Sequence, residues 1–464
     1  MLVAVALETT IPDAVGKAQT GGHALAIRWV FPASDGSVTR LETGQTLFGR
    51  DQSCAGYLPS ASVSRIHAAI RWAPGEVPML RDEASTNGVF LNARRVRQAP
   101  LKDRDVIRIG DFVGVLVSLP EGGATSWSFR ELTRGYWAGP ALAAALEPAR
   151  LVATSDLPIV IQGETGTGKE GAAHAIAEWS GRKGPLLAVN CAALPEALAE
   201  GELFGYRRGA FSGAERYHPG FLRAAEGGSL LLDEIADLSL PIQAKLLRAV
   251  EQHEVVPLGE SEPVAINVRL LAATQGPLRQ AVEEKRFRGD LFARLDGLTV
   301  VLPPLRERVE EIPRLFTQLL EARNRDVAPP RLDPLLVERL CAYDWPFNVR
   351  ELALLVRRLL ALYPNASVLD RSMLAKTLGV AMGTTAGVAS ASSAVAAASE
   401  MPGADAGREE KPDPAPGAIL AALRAERGNV KRAATVLGIS RGRLYRLMEK
   451  LESVDLAQLR QVDE

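Results

Sequence analysis

The sequence is poor in cysteine and carries almost no net charge. Its 464 residues include three cysteines, Cys54, Cys191 and Cys341, which are odd in number and widely spaced. This pattern excludes a disulfide framework and a paired-cysteine metal site, and it is typical of a reducing cytoplasm. The formal net charge is −1, so any binding of nucleic acid has to come from a local basic patch.

Long apolar segments are also scarce. Residues 377–399 carry no charge, but they consist mostly of alanine, glycine, serine and threonine, which gain little on transfer into lipid. Residues 1–7 are apolar, but the run is short and lacks the basic residue that precedes a secretory signal. We therefore expect a cytoplasmic protein with no membrane segment.

The length predicts several domains. A chain of this size is too long for one ordinary core, so two to four domains are expected. Pattern and composition divide it into an N-terminal tail (1–22), a β-rich domain (23–120), a linker (121–135), an α/β domain (136–305), a helical domain (306–378), a linker rich in alanine, glycine, serine and proline (379–416) and a C-terminal helical domain (417–464).

The β-rich domain reads as an all-β sandwich. Its strand-like segments are rich in β-branched and aromatic residues and are broken by glycine, proline, aspartate and asparagine. They are Ala24–Phe31, Thr46–Gly49, Ile66–Trp72, Val89–Leu91, Val106–Ile109 and Phe112–Ser118. The loops between them are rich in arginine, hydroxyl and amide donors, which together suit an oxyanion.

These loops contain Gly49-Arg50, then Ser62-Val63-Ser64-Arg65-Ile66-His67, then Ser85-Thr86-Asn87-Gly88. The ordered set, followed by Leu91-Asn92 and Gly110-Asp111, resembles a forkhead-associated (FHA) domain. Such domains bind phosphothreonine peptides, so the resemblance implies a phosphothreonine protein or a Ser/Thr kinase as partner. By the resemblance, the phosphate would be held by Arg50, Ser64, Arg65 and Thr86, and the peptide backbone by Asn87. Gly49 and His67 would be architectural.

The α/β domain contains a phosphate-binding loop. The apolar segment Pro158–Gln162 leads into Gly163-Glu164-Thr165-Gly166-Thr167-Gly168-Lys169. The glycines let backbone N–H groups converge on phosphate oxygens, the following helix adds its positive end, and Lys169 would bridge the β and γ phosphates of ATP. Glu170 follows, where a Ser or Thr that holds Mg²⁺ is usual.

A second strand in this domain ends in two carboxylates. Leu230–Leu232 is apolar throughout, as a strand covered on both faces should be, and Asp233 and Glu234 follow it. Parallel α/β sheets bind their ligands at this end of the strands. We expect Asp233 to hold Mg²⁺ through water and Glu234 to polarise the attacking water.

These motifs and the segment Gly209-Ala210-Phe211-Ser212-Gly213-Ala214 together resemble the central ATPase of bacterial enhancer-binding proteins, the activators of sigma-54 RNA polymerase. In that family this loop touches sigma, and Glu at the position of Glu170 is common. The resemblance implies an AAA+ fold with residues 306–378 as its lid, a homo-oligomer from dimer to hexamer, and the sigma-54 RNA polymerase holoenzyme as partner.

The resemblance also assigns roles to polar residues outside the loop. Arg288 and Arg294 would enter the neighbouring subunit's nucleotide site and stabilise charge on the transferred phosphate. Asn190 would pair with Glu234 and hold this base inactive until the partner is engaged.

Several positions depart from the family pattern. Thr274 and Gln275 stand where the γ-phosphate is sensed, and the family usually has Asn in place of Gln275. Arg350 matches the lid arginine that senses nucleotide. At three further positions this chain has Phe347 where the family usually has Gly, Arg207 where it has Glu, and Ser212 where it has Thr. None of these departures removes a group that hydrolysis requires.

The C-terminal domain reads as three helices, Ile419–Arg427, Val430–Leu437 and Arg441–Leu451. A tight turn, Gly438-Ile439-Ser440, joins the last two, and its Ser can cap the next helix. The basic bias and this turn resemble the Fis-type helix-turn-helix that ends enhancer-binding proteins, which implies binding to double-stranded DNA at upstream sites. The expected DNA-binding residues are Lys431, Arg432, Ser440, Arg441, Arg443, Tyr445 and Arg446.

Two other functions fit parts of the pattern. One is a DNA-binding repressor whose nucleotide site is only a switch, and the intact carboxylates and arginines argue against it. The other is a remodelling ATPase with a different client, and the Gly209–Ala214 loop argues against that. The favoured interpretation is a sigma-54-dependent activator that hydrolyses ATP with Mg²⁺. Because no receiver pattern precedes the ATPase, we expect control by Ser/Thr kinase signalling.

Overall fold

A computed structural model describes residues 24–32, 37–119, 128–211, 214–323 and 328–382. The predicted N-terminal tail, the C-terminal domain with its seven DNA-binding residues, and most of the second linker lie outside the described residues. Within the described ranges, no helix has the length and apolar character needed to cross a membrane.

The N-terminal domain is a β-sandwich, as predicted. Its first sheet has the strand order β2-β1-β11-β10-β7-β8, and its second has the order β4-β3-β5-β6-β9. The strands are β1 Ala24–Phe31, β2 Val38–Arg40, β3 Gly44–Gly49, β4 Gly56–Tyr57, β5 Ala68–Trp72, β6 Met79–Asp82, β7 Val89–Leu91, β8 Arg94–Val96, β9 Gln98–Pro100, β10 Val106–Ile109 and β11 Phe112–Leu119.

A short hairpin precedes the α/β domain. Arg130–Thr133 (β12) pairs antiparallel with Tyr136–Ala138 (β13). The prediction that residues 121–135 form only a linker was therefore wrong at its C-terminal end, because β12 is a strand whose partner begins the next domain. The hairpin packs on the phosphate-loop helix, since a Cβ at Gly171 would lie 2.5 Å from the Tyr136 ring.

The α/β domain contains a five-stranded parallel sheet in the order β15-β16-β19-β14-β20. Its central strands are fully buried, which explains their continuous apolar sequence. The elements are α1 Pro140–Leu151, β14 Ile159–Gln162, α2 Lys169–Trp179, β15 Leu186–Asn190, α3 Glu196–Phe204, α4 Phe221–Ala224, β16 Ser229–Asp233, α5 Leu240–Gln252, β17 Glu254–Val255, β18 Val264–Ala265, β19 Arg269–Thr274, α6 Leu278–Glu283, α7 Gly289–Leu295 and β20 Leu298–Val301.

A helical lid follows the parallel sheet. It comprises α8 Ile312–Arg323, β21 Arg331–Leu332, α9 Pro334–Cys341, α10 Asn348–Leu362, β22 Val368–Leu369 and α11 Arg371–Met382. Helix α11 continues past residue 378, so the predicted start of the second linker at residue 379 falls inside a helix. The apolar cluster of the lid includes Phe316, Trp345 and Leu355, and it continues into residues of the β-sandwich.

Candidate functional site

The loop between β14 and α2 is shaped for phosphate and cannot accept side chains at its glycines. Gly166 and Gly168 have φ angles of +79° and +105°, which glycine alone adopts without strain. A Cβ at Gly166 would lie 2.2 Å from the carbonyl oxygen of Phe347. Lys169 begins α2, is only 8% exposed, and donates from Nζ to the carbonyl oxygen of Gly163 over 2.9 Å.

The expected acidic pair lies beside this lysine, at the carboxyl end of β16. Glu234 Oε1 lies 3.4 Å from Lys169 Nζ and accepts a 3.1 Å hydrogen bond from Gln275 Nε2. Glu234 has a left-handed backbone with φ of +51°, which turns its side chain out of the strand. Burial, followed by the Glu234 charge, raises the pKa of Asp233 above its ordinary value. Two carboxylates and one ammonium thus meet at the edge where ligands bind.

Asn190 has a different partner from the expected one. It ends β15, level with Asp233 in the register of the sheet. Its Oδ1 accepts from the Ala193 backbone N–H over 3.3 Å and caps the 3-10 turn Cys191–Ala193. The cap uses Oδ1, and among the hydrogen bonds of the described residues Asn190 makes none with Glu234, whose Oε1 instead accepts from Lys169 and Gln275. The predicted Asn190–Glu234 pair is thus wrong for this conformation.

The lid contacts the phosphate loop through Asn348, which the sequence analysis did not single out. Asn348 is fully buried, and its Nδ2 donates to the Thr165 carbonyl oxygen over 3.0 Å and to Glu164 Oε2 over 3.2 Å. Its Oδ1 accepts from the Leu305 backbone N–H. The available sequence signal was its position two residues before Arg350. In the structure its backbone has a positive φ of +52°.

Two arginines strengthen this junction. Arg306 donates to both carboxylate oxygens of Glu164, and this hydrogen bonding lowers the pKa of Glu164. Arg308 is 1% exposed and donates to the Thr167 carbonyl oxygen over 3.1 Å. Arg350 is exposed and lies beside the loop, since a Cβ added at Gly166 would lie 2.9 Å from the Cβ of Arg350. The expected nucleotide-sensing arginine therefore adjoins the phosphate loop.

Arg288 and Arg294 lie away from this loop within the chain. Arg288 precedes α7 and pairs with Asp290 over 2.6 Å, and Arg294 pairs with Glu251 over 2.9 Å. Both side chains are exposed on the surface of the α/β domain. The ion-pair partners of the two arginines are thus Asp290 and Glu251, and not Glu234 of the same chain.

The Phe211 segment forms a surface loop of the same domain. Gly209 N–H donates to the Ala214 carbonyl oxygen over 2.8 Å, which closes the loop, and Ala210 N–H donates to Arg207. Phe211 is 37% exposed and meets the Tyr206 ring edge-to-face at 5.0 Å between centroids. Ser212 and Gly213, also expected to contact sigma, lie outside the described residues.

The predicted phosphothreonine residues converge on the loops at one end of the sandwich. Arg50 N–H donates to the Ser64 carbonyl oxygen, and Thr86 N–H donates to Ser64 Oγ over 3.2 Å. The exposed Arg50, Arg65, Thr86 and Asn87 side chains surround the partly buried Ser64. The loops thereby present cationic, hydroxyl and amide donors together.

Two residues beneath these loops have the architectural roles expected of them. His67 is fully buried, accepts from the Ser64 N–H at Nδ1, and lies with Nε2 3.2 Å from the Gly88 carbonyl oxygen. A Cβ at Gly49 would lie 2.0 Å from the Arg65 carbonyl oxygen. His67 therefore links the loops of Ser64 and Gly88, and the absence of a side chain at Gly49 lets its backbone approach that of Arg65.

Family models match the chain in four consecutive segments. The Sigma-54 interaction domain matches residues 137–301, and the AAA+ ATPase lid domain matches residues 306–389. The FHA domain matches residues 46–110, and the bacterial regulatory protein, Fis family, matches residues 417–451. The last match covers all seven expected DNA-binding residues.

Curated proteins and a solved structure are similar to this chain. DNA-binding transcriptional regulator NtrC of Bradyrhizobium sp. (strain RP501 Parasponia) is 41% identical over 66% of this chain and 66% of its own. The putative uric acid sigma-54-dependent transcriptional regulator UacR of Escherichia coli (strain K12) is 39% identical over 65% of this chain and 51% of its own. The crystal structure of NtrX from Brucella abortus is 27% identical, with a TM-score of 0.49, over 69% of this chain and 70% of that one.

The chain spans between about half and two thirds of the length of these two curated relatives. The matched part comprises the phosphate loop, the carboxylate pair, the Phe211 loop and the lid, all within the Sigma-54 interaction domain and the lid domain. The chain therefore belongs to the family of sigma-54-dependent transcriptional regulators, with an FHA domain, an AAA+ ATPase domain with its lid, and a Fis-type helix-turn-helix in that order.

Proposed function

We propose that this protein activates transcription by sigma-54 RNA polymerase, using ATP hydrolysis in an oligomeric ring to remodel promoter-bound polymerase into the open complex. The observation that carries this proposal is the meeting of Lys169, Asp233 and Glu234 on a domain that also displays Phe211 at its surface. The chemistry and the client contact then lie on one domain. The expected compartment is the cytoplasm.

The nucleotide site supports hydrolysis. Lys169 and backbone N–H groups of the loop that precedes it would bind the phosphates, whereas the N–H groups of Gly163 and Thr167 donate to carbonyl oxygens within the chain. Glu234 would take the proton of the attacking water. The donor set also fits Mg²⁺, which takes one or two carboxylates together with phosphate oxygens. Asp233 would hold this ion through water, and the ion would neutralise charge on the phosphates. Thr274 is buried at the end of β19, where it and Gln275 would respond to the γ-phosphate.

The site becomes complete only in an oligomer. Arg288 and Arg294 form ion pairs with Asp290 and Glu251 at the surface of their own domain, which fits a role in a neighbouring subunit. A surface that acts on the next subunit in this head-to-tail way closes into a ring. We take this ring to be a hexamer.

The Phe211 loop would couple hydrolysis to sigma-54. An apolar side chain on a surface loop with little around it is an anchor for a partner. Tyr206 supports the ring from one side, so that the loop presents Phe211 without burying it. Nucleotide-dependent movement of the loop would then pull on sigma-54.

The two flanking domains would determine where the protein binds DNA and how its activity is regulated. The Fis-type segment would bind double-stranded DNA upstream of target promoters, with contacts to phosphate from its arginines and lysines. The FHA loops would bind a phosphothreonine protein, such as a substrate of a Ser/Thr kinase, through Arg50, Ser64, Arg65, Thr86 and Asn87.

A reconstituted transcription assay tests the proposal. Wild-type protein, the sigma-54 holoenzyme, ATP and Mg²⁺ should give open complexes on a promoter with an upstream site. Phe211→Ala should keep hydrolysis and lose sigma capture and open complexes, whereas Glu234→Gln should bind ATP and hydrolyse it at least about a hundredfold more slowly. Tyr217→Ala removes another exposed aromatic of the domain and should keep both activities.

Each alternative has its own outcome. Hydrolysis without sigma-54 capture would point to a different client. DNA binding without any hydrolysis would point to a nucleotide-switched repressor. If Phe211→Ala lost hydrolysis together with activation, the Phe would be structural and the coupling role would be wrong.

A further inference from the structure

In one sheet of the β-sandwich, strands β1, β11 and β10 are buried on both faces over most of their length. In β1, Ile27 and Trp29 point into the core of the sandwich, whereas Ala26 and Val30 belong to the apolar cluster of the lid. In β11, Val113, Val115, Val117 and Leu119 belong to the same lid cluster. A sheet of this kind ordinarily leaves one face in water. Here that face is covered by protein.

The covering elements belong to the lid. Helices α8 and α9 contribute Ile312, Leu315, Phe316, Leu336, Val337 and Leu340 to the shared cluster. Domains of one chain usually meet through small, polar surfaces and move freely unless the interface is large and hydrophobic. Because this cluster is continuous across the junction, the FHA domain is not a freely tethered module.

A buried ion pair fixes the position of this interface. Arg108 of β10 donates from Nε to Glu338 Oε2 of α9 over 2.8 Å, and both residues are under 10% exposed. In the described part of the chain the other oxygen, Glu338 Oε1, has no hydrogen-bond partner. The carboxylate thus depends on Arg108 for compensation, so it is sensitive to where β10 lies.

The same arginine reaches toward the phosphothreonine loops. Arg108 Nη1 donates to the Gly110 carbonyl oxygen over 3.2 Å. The next residue, Asp111, accepts from Ser62 Oγ over 2.8 Å and donates its N–H back to that oxygen over 3.1 Å. Asn87 Nδ2 donates to the Ser62 carbonyl oxygen over 2.7 Å. A residue expected to hold the peptide backbone is therefore two hydrogen-bonded steps from the Gly110–Asp111 turn.

On the other side of the ion pair, α9 leads to the phosphate loop. The segment after α9 is anchored by Trp345, which is fully buried and donates from Nε1 to the Leu340 carbonyl oxygen over 2.8 Å. Asn348 follows and binds the Thr165 carbonyl oxygen, and Val349 N–H donates to the Gly166 carbonyl oxygen over 2.9 Å. A shift of α9 would therefore act directly on the backbone that holds the phosphates.

We propose that the FHA domain and the lid move as one body, so that phosphothreonine binding and the nucleotide state are coupled through Arg108 and Glu338. This inference rests on the proposed phosphothreonine recognition. Coupling of two binding equilibria is reciprocal. The nucleotide must therefore change the affinity for phosphopeptide by the same factor by which phosphopeptide changes the affinity for nucleotide.

The test measures this coupling on the full chain. A labelled degenerate peptide pool with a central phosphothreonine is titrated into protein saturated with ADP or with a slowly hydrolysed ATP analogue. We expect the two dissociation constants to differ by at least about fivefold. The double substitution Arg108→Met with Glu338→Leu removes both charges and keeps the interface apolar, so the protein should stay folded. In this variant the two constants should agree within about twofold.

A matched control is the double substitution Arg150→Met with Glu147→Leu, which removes an exposed ion pair of α1 and should keep the coupling. If wild-type protein binds phosphopeptide equally well in both nucleotide states, the inference is overturned while phosphothreonine recognition stands. Coupling that persists in the Arg108/Glu338 variant overturns the assignment to this ion pair. Failure to distinguish phosphorylated from dephosphorylated pool overturns the recognition itself, and the inference with it.

Discussion

Gln275 Nε2 donates a 3.1 Å hydrogen bond to the same Glu234 oxygen that lies 3.4 Å from Lys169 Nζ. Position 275 departs from the Asn that is usual in the family, and its longer side chain contacts the proposed base directly. Two donors thus orient Glu234: Lys169 at the start of α2 and Gln275 just after β19. Gln275 should therefore act on the base as well as on the γ-phosphate.

We predict that Gln275→Asn lowers the maximal rate of ATP hydrolysis by up to about tenfold, because the shorter amide loses a hydrogen bond to a charged group. The affinity for ATP should change by less than about twofold, since the phosphate loop is untouched. Steady-state kinetics separate the two effects. The control is Gln280→Asn, because the Gln280 amide donates to Glu284 at the end of α6, away from Glu234. Loss of ATP affinity with an unchanged rate would contradict this role.

Mixing two inactive variants should restore hydrolysis. Arg294→Ala keeps its own Glu234, and Glu234→Gln keeps its own Arg294. In a mixed ring some sites combine an intact Glu234 with a neighbour's Arg294, so an equal mixture should recover on the order of a quarter of the wild-type rate. The measurement is phosphate release after mixing. Arg286→Ala removes another exposed arginine and should be active alone. No recovery on mixing would place Arg294 outside the neighbour's site.

Arg50→Ala should weaken phosphothreonine binding by about 10- to 100-fold, the effect of losing one hydrogen bond between charged groups. The sandwich should remain folded because Arg50 is exposed on a loop. Calorimetry with phosphorylated and dephosphorylated peptide pools measures the change. Arg71→Ala, at an exposed position of β5, should bind like wild type. Equal binding of both pools by wild-type protein would refute the sensor role.

Glu310, beside the junction of the sandwich and the lid, should make stability depend on pH. Burial raises its pKa from 4.5 to about 7. The charged and titratable groups around it are Arg28 of β1, Arg104 before β10, Glu311 of its own turn and Cys341 of α9. The pKa of Glu310 in the folded state lies above its pKa in the unfolded state. The contribution of protonated Glu310 to the free energy of unfolding is therefore complete below pH 4.5 and is lost as pH rises through about 7.

Glu310→Gln stays neutral and should therefore be more stable than wild type at high pH. We expect a difference of about 2 kcal/mol above pH 8 that shrinks toward pH 5. Chemical denaturation across this range measures it. Glu307→Gln, at an exposed neighbouring position, should follow the wild-type curve. A Glu310→Gln curve parallel to wild type would contradict the shifted pKa.

Much of the site could be predicted from local patterns. Strands β1, β7 and β10 have the predicted bounds, and the phosphate loop and its lysine lie as expected. Each of these features depends on residues that are close in the chain. Glycine spacing, apolar periodicity and turn chemistry act over a few residues, so the sequence displays them directly.

The partners of Glu234 and Asn190 could not be predicted in this way. Gln275 and Glu234 are 41 positions apart, and Asn190 caps its own turn through Ala193 N–H instead of pairing with the base. Asn348 was missed for a related reason. An asparagine in a helix-start motif reads as a local cap, and only the fold reveals that it binds the backbone of the phosphate loop.

Short patterns of residue types were enough to predict the four modules, their order and most of the residues proposed to carry chemistry, because each pattern acts over a few neighbouring positions. Tertiary structure decided how the first module meets the lid. The apolar run of β11 looks the same whether one face or both are buried, and Arg108 pairs with Glu338 across 230 positions of chain. Such a pairing depends on which surfaces meet after both domains have folded, and no local pattern records it.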